Sequence, residues 1–256
     1  MIDVNKVVDS GAEAVADIGS GASLAVGGFG VCGVPDTLLE AILALGSEEL
    51  IVYSNNCGLD DYGLGRLLAN GRIARFVASY VGENAEFARQ YLCGDIELEL
   101  TPQGTLAERL RAGGAGIPAF YTPSGVGTMI ADGGLPWRYH RDGSVAVSSP
   151  PKETRDFNGH TYVLEEAITT EFALVHAEVG DLHGNLVFNG SAHNFNTVAA
   201  MAANTCVAEV EALVEPGEID PHHVHLPGIF VHRVLHSGTQ RKLIERKTLA
   251  EPEAKP

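Results

Sequence analysis

The sequence predicts an α/β fold: an open, mostly parallel sheet flanked by helices, with a β-rich flap inserted. Three observations predict it. Short apolar runs alternate with amphipathic segments through the first half, the pattern of parallel βαβ units. Thirty glycines in 256 residues gather in short loops between those runs, where tight strand-to-helix turns need them. From about 125 to 158 the alternation gives way to glycines, prolines and short polar runs, which read as a flap over the sheet.

The elements follow in order. The opening MIDVNKVVDSGAEAVADI reads as an amphipathic helix. It lacks a basic region followed by an apolar run, so neither a signal peptide nor an anchor is indicated. Ser23–Val26 is a short buried strand, followed at once by glycines. Pro35 to Leu45 carries apolar residues at helical spacing, with Pro35 suited to a first turn. Leu50–Tyr53, Ile73–Ser79, Ile96–Leu100 and Ile117–Tyr121 repeat the strand theme, with helices around Glu83–Cys93 and Thr105–Ala112. Phe172–Glu178 and Val207–Val214 are further core strands. A single domain over 1–249 is expected, with 250–256 a frayed tail.

The chain carries 33 acidic and 17 basic side chains, a formal net charge of −16. Such a surface repels polyanions, so nucleic acid and anionic membranes are excluded as general partners. It does not exclude a phosphorylated ligand held by a local patch or by a partner protein. Hydrophobic residues at 45% and charged residues at 20% belong to an ordinary soluble protein, and no apolar stretch reaches bilayer-spanning length. Cys32, Cys57, Cys93 and Cys206 are scattered without CxxC spacing, which argues for reduced thiols in a cytoplasmic setting.

Four groups of residues invite a chemical reading. Gly28, Gly30 and Gly33, in the loop Gly27-Gly28-Phe29-Gly30-Val31-Cys32-Gly33, satisfy GxGxxG between a strand and a helix. A dinucleotide site would also want an acidic residue about twenty positions on, where Ser54-Asn55-Asn56 stands instead. The alternative is a tight turn that needs glycine. Asn55 lies at the carboxyl end of a strand, where open α/β sheets place their sites. Its amide is either a neutral donor for a developing oxyanion or part of an Asn-rich turn. Gln103 also follows a strand end. Glu83 and Glu86 are nucleophile candidates, against the plainer role of acids at a helix start. His222, His223, His225, His232 and His236 lack the cysteine or carboxylate spacing of a zinc site, so no metal is expected.

At these same segments the chain resembles the family I CoA-transferases of the succinyl-CoA:3-oxoacid type. The match is carried by VGGFGVCGVP (26–35), SNNCGLDDYGLG (54–65), the long run 79–123 from SYVGENAEF through TPQGTL to AFYTP, and AHNFNTVAAMAA (192–203). EVEALVE (209–215) and HLPGIFVHR (225–233) fit as well. The resemblance implies ping-pong covalent catalysis, with CoA carried on a glutamate that lies in the second subunit of split enzymes. This chain is then expected to be the alpha, or A-type, subunit of such an enzyme. It would lack the nucleophile, work only with its second subunit, and join it in a hetero-oligomer of two copies each. CoA thioesters and a 3-oxoacid are its implied substrates, with no permanently bound cofactor. Asn55 matches the family's oxyanion-hole asparagine, and Gln103 the glutamine beside the reacting carboxylates. The loop Gly27–Gly33, with Phe29, matches the first signature and is expected to form a wall of the site. One departure stands out, since His193 occupies the arginine position of the family's ARNFN motif. Acetate or 3-oxoadipate as acceptor, a non-catalytic effector-binding module and a dinucleotide-dependent oxidoreductase are the competing readings.

Overall fold

A computed structural model describes residues 4–82, 84–239 and 243. In chain order the elements are β1 (Val7–Val8), α1 (Gly11–Ala14), β2 (Ser23–Val26), α2 (Asp36–Leu45), β3 (Leu50–Tyr53), α3 (Leu64–Ala69), β4 (Ile73–Ala78), α4 (Ala85–Leu92), β5 (Glu97–Leu100) and α5 (Gln103–Gly114). There follow β6 (Ala119–Thr122), α6 (Met129–Asp132), β7 (Pro136–Tyr139), β8 (Val145–Ser148), β9 (Thr154–Phe157) and β10 (His160–Glu166). The chain then returns through β11 (Thr170–Asp181), β12 (Leu186–Val187), α7 (Asn196–Met201), β13 (Ala203–Val214) and β14 (Arg233–His236).

The main sheet runs β1-β14-β13-β11-β2-β3-β4-β5, with every neighbouring pair parallel and β12 added antiparallel to β11. Strand alternation sorts its residues onto two cores. Leu24, Val26 and Leu174 join Leu38, Leu39, Ile42, Leu67 and Phe87 on the face of α2, α3 and α4. Ala25, Ala173 and Val175 join Leu106, Leu110, Phe195 and Ala199 on the face of α5 and α7. Both faces are covered, so the strands read as continuous apolar runs. From β2 the sheet grows one way through β3, β4 and β5, and the other way through β11, β13 and β14. The order therefore reverses between β2 and β11, a crevice at whose carboxyl end ligands bind in open α/β sheets.

Two expectations are corrected. The opening segment is not a single amphipathic helix. Val7–Val8 pairs with Val234–Leu235 as an edge strand, and a four-residue helix follows. Ser10 Oγ accepts from Glu13 N at 3.2 Å and Glu13 Oε2 accepts from Asp9 N at 3.0 Å. This reciprocal cap fixes the helix start at Gly11 and leaves Val7 and Val8 outside it. The strand expected at Ile117–Tyr121 exists as β6 but lies outside the parallel sheet. It pairs antiparallel with β10, which pairs with β9. Ala119–Thr122 are all only partly buried, too exposed for a two-faced central strand. The β-rich flap thus extends from Ala119 to Glu166, with β7 and β8 forming a separate two-stranded ribbon. Glu83 and the tail 250–256 lie outside the described residues.

Candidate active site

The reversal point is lined by loops from β2, β3 and β5. The first is Gly27–Gly33. Phe29 and Cys32 exchange both backbone hydrogen bonds at 3.0 Å, and Gly30 opens the two-residue turn between them with φ +60°, as a II′ hairpin requires. Phe29 is left 48% exposed at this tip. Gly27 and Gly33 have a second reason to be glycine. A Cβ at either would meet the Asn196 side chain, at 1.9 Å and 2.8 Å.

The second loop follows β3. Ser54 Oγ donates to Val26 O at 2.9 Å, tying it to the end of β2. Asn56 clasps the glycine loop from both sides: its Oδ1 accepts from Gly30 N at 2.8 Å and its Nδ2 donates to Gly30 O at 3.1 Å. Asn55 is 2% exposed and is not a self-satisfied turn. Its Oδ1 accepts from Ser79 Oγ and from Gln103 Nε2, both at 2.7 Å, while its Nδ2 donates to Asn56 Oδ1 at 2.9 Å. Gln103 is the first residue of α5, just past β5, and is exposed. The fold thus joins two amides 48 positions apart, from the carboxyl ends of β3 and β5, across the intervening β4.

Sequence reasoning missed two further asparagines. Asn194 Oδ1 accepts from Gly28 N at 3.2 Å, and its Nδ2 donates to Cys32 O at 3.0 Å. Asn196 is wholly buried and donates from Nδ2 to Gly33 O at 2.9 Å and Ala192 O at 2.8 Å. A signal existed in the paired asparagines of AHNFNT, which are costly in an otherwise apolar helical run unless they bind something. With Gly28 N and Gly30 N occupied by Asn194 and Asn56, the amides a pyrophosphate would need at a glycine-rich turn are already engaged.

The remaining candidates go elsewhere. Glu86 sits in the first turn of α4, where Arg89 and Gln90 hydrogen-bond its carboxylate and hold it down to about 2. Asn84 caps that helix, accepting from Phe87 N at 2.7 Å. The histidines disperse. His232 Nδ1 accepts from Cys206 N and His225 Nδ1 from Phe188 N, both at 3.0 Å. His236 faces Glu211 O, and His222 and His223 form an exposed turn. Among the described residues no group of three or more His, Cys, Asp or Glu is placed to hold a metal ion. All four cysteines are free. His193, the departure from the ARNFN motif, stacks against both Phe188 and His225, with ring centroids 5.0 and 4.9 Å away, while those two rings lie 6.2 Å from each other. Burial, then the neighbouring His225, lowers its pKa.

Chemically the loop framework is locked by asparagines, and the Ser54 and Ser79 hydroxyls already donate within it. Asn55 Nδ2 and Gln103 Nε2 each spend one hydrogen inside the network and keep a second, so these neutral amides can donate to carboxylate or carbonyl oxygens without adding a charge.

Comparison with known proteins agrees with this description. Residues 8–237 match the Coenzyme A transferase family. The chain is 63% identical over 248 residues to the A-type subunit of the probable succinyl-CoA:3-ketoacid coenzyme A transferase of Mycobacterium tuberculosis strain H37Rv, covering 97% of this chain and 100% of that one. It is 51% identical over 241 residues to the human mitochondrial succinyl-CoA:3-ketoacid coenzyme A transferase 2, covering 94% of this chain but 47% of the relative. Among solved structures, an acyl-CoA transferase from Escherichia coli O157:H7, in a thioester complex with CoA, superposes with a TM-score of 0.79 at 22% identity. That match covers 94% of this chain and 49% of the other, so this chain spans about half the length of such single-chain proteins.

Proposed function

The chain belongs to the coenzyme A transferase family, and we propose that it is the alpha subunit of a succinyl-CoA:3-ketoacid CoA-transferase whose site is completed by a separate second subunit. The observation that carries this reading is the 2.7 Å hydrogen bond between Gln103 Nε2 and Asn55 Oδ1 beside the glycine loop. It gathers neutral donors at the sheet's reversal point, where a carboxylate exchanging CoA needs them.

In this reading a glutamate of the partner chain attacks succinyl-CoA, CoA passes to it as a thioester with release of succinate, and the 3-oxoacid carboxylate then collects CoA. Asn55 and Gln103 hold the oxyanion and orient the carboxylates. The loop Gly27–Gly33 forms the wall facing the partner's glutamate. Phe29 and Tyr80, 48% and 52% exposed at the carboxyl ends of β2 and β4, belong to the face that the substrate and the partner chain cover. CoA thioesters are substrates, and no cofactor is permanently bound. Among the described residues no helix is long and apolar enough to cross a membrane. The proposed assembly is cytoplasmic, with two subunits of each kind and no nucleic acid or membrane partner; the net charge of −16 supports the last point. Acetoacetate is the favoured acceptor.

Acetoacetyl-CoA formation from succinyl-CoA and acetoacetate tests this. The co-purified pair should be active and either chain alone inactive. Activity in the isolated chain, or none in an intact pair, would overturn the reading.

A further inference from the structure

Beneath the glycine loop lies a buried ionic cluster that the donors above do not use. The pairing of β2 with β11 ends at Val26–Leu174, and β11 continues without it. His176 N, facing the vacated side, donates to Asn196 Oδ1 at 3.0 Å. This is the carboxamide that binds Gly33 O and sits against Gly27. The His176 ring lies between two carboxylates of β13: Nδ1 is 3.0 Å from Glu209 Oε1 and Nε2 is 3.1 Å from Glu211 Oε1. Glu209 is wholly buried, and its Oε2 accepts from Leu38 N at 2.9 Å. Leu38 is the third residue of α2, whose N-cap Pro35 has no side-chain acceptor. Glu209 therefore supplies the acceptor that the helix start lacks. The loop is thus held at both ends around His176: its backbone N–H fixes Asn196, which binds Gly33 O and abuts Gly27, and its ring holds Glu209 where α2 begins.

Two ring nitrogens facing two carboxylates need two protons between them. A neutral imidazole between two ionised glutamates would set one lone pair against another. The cluster therefore keeps a proton, as imidazolium or as a shared carboxyl proton, with one net negative charge beside Leu38 N. We propose that His176 is a positioning residue: clamped between Glu209 and Glu211, it fixes the glycine loop and the start of α2 in the geometry of the site, and does so while the cluster keeps its proton. The importance of the loop to chemistry rests on the transferase reading above.

Among the described residues, further charged groups surround the cluster. On α2, Asp36 raises the pKa of Glu209 further but is paired with Arg66 of α3. Tyr62, pushed up to about 12 by burial, then Asp36 and Glu209, stays neutral. Glu178, further along β11, is held by Asn189 Nδ2 at 2.8 Å. On β14, His236 faces the Glu211 carbonyl. Burial lowers the His176 pKa, but Glu209 and then Glu211 outweigh it and the net shift is upward. Burial raises Glu209. Both directions bind the proton more tightly in the folded state, so the grip is complete below the ordinary histidine range and is lost as pH rises through the folded value.

The test uses the full chain co-purified with its partner chain. Three quantities are read against pH: the His176 ring titration by NMR, hydrogen exchange at the Leu38 amide, and kcat with KM for succinyl-CoA. In the wild type the ring should titrate above the ordinary histidine range. Leu38 protection and kcat should fall through that same pH while KM holds. Glu211→Gln, a change at the rim of the cluster where the side chain is 10% exposed, should move all three transitions down by about one to three pH units, the effect of removing one close opposite charge. A ring that titrates in the ordinary range, or Leu38 protection indifferent to the ring's titration, would overturn the proposal. If ring and Leu38 move together but the pair transfers no CoA, the positioning device stands and the transferase reading fails.

Discussion

The crevice between β2 and β11 and the flap hinge are both held by buried ionic groups, but of opposite character. Under the crevice, one histidine serves two carboxylates and stores a proton. At the flap, guanidinium and ammonium groups dominate. Arg109 of α5 pairs with Glu99 of β5 at 2.7 Å and approaches Glu165 of β10 at 4.0 Å. Lys152 meets Glu165 at 2.6 Å, Arg75 meets Glu99 at 2.7 Å, and the Arg75 guanidinium lies 5.3 Å from the Trp137 ring centroid. Burial would raise the pKa of Glu99, but Arg109 and then Arg75 reverse this and lower it. A depressed carboxylate contributes stability above its unfolded pKa and loses it as pH falls through the folded value. The flap hinge should therefore loosen on the acid side and the glycine loop on the alkaline side. A fold can bound the working range of a site from both directions with permanent ion pairs in one place and a titratable one in another.

The largest effect expected from breaking this contrast is at the hinge. Arg109→Ala leaves Glu99 and Glu165, 6% and 2% exposed, short of a partner. Arg75 and Lys152 remain, so the cost should approach the lower end of the about 3–5 kcal/mol of breaking a buried pair, to be read by chemical denaturation of the assembly, and limited proteolysis should cut first between Ala119 and Glu166. Asn55→Ala should leave stability closer to wild type but lower kcat by about a hundredfold to a thousandfold, roughly 3–4 kcal/mol in the transition state. Gln103→Ala should follow in the same direction. A rise in KM of similar size, with kcat intact, would make these amides binding groups instead. Asn84→Ala removes a helix cap and should cost about 1 kcal/mol, seen as a small drop in melting temperature without change in kcat. Glu108→Gln removes an exposed pair with Arg111 and should change neither measurably.

What is legible in the sequence is local. Ser23–Val26 and Leu50–Tyr53 stand as strands at the expected bounds, because short aliphatic runs bounded by glycine or polar residues are strong signals. Asn55 and Gln103 are legible as residues at strand ends, and the resemblance singles them out; their mutual hydrogen bond depends on strand order, which no local pattern encodes. Val7–Val8 escapes a local reading because two residues are too few to show a period, and their partner strand lies more than two hundred positions away. The His176 cluster is silent for a related reason. His176 and Glu209 look like ordinary polar interruptions of apolar strands until β11 and β13 pair in register and place them face to face, 33 positions apart. His193 is visible as a departure, but its stacking against both Phe188 and His225 requires β12 and the 225–233 segment to meet.

The central claim is that this chain supplies the donors of a shared site while the covalent chemistry occurs on its partner. It is tested most directly by mixing the assembled pair with succinyl-CoA, denaturing it rapidly and measuring the intact mass of each chain. The account predicts a CoA adduct confined to the partner chain, sensitive to hydroxylamine and formed far more slowly when this chain carries Asn55→Ala. A CoA adduct on this chain would contradict it.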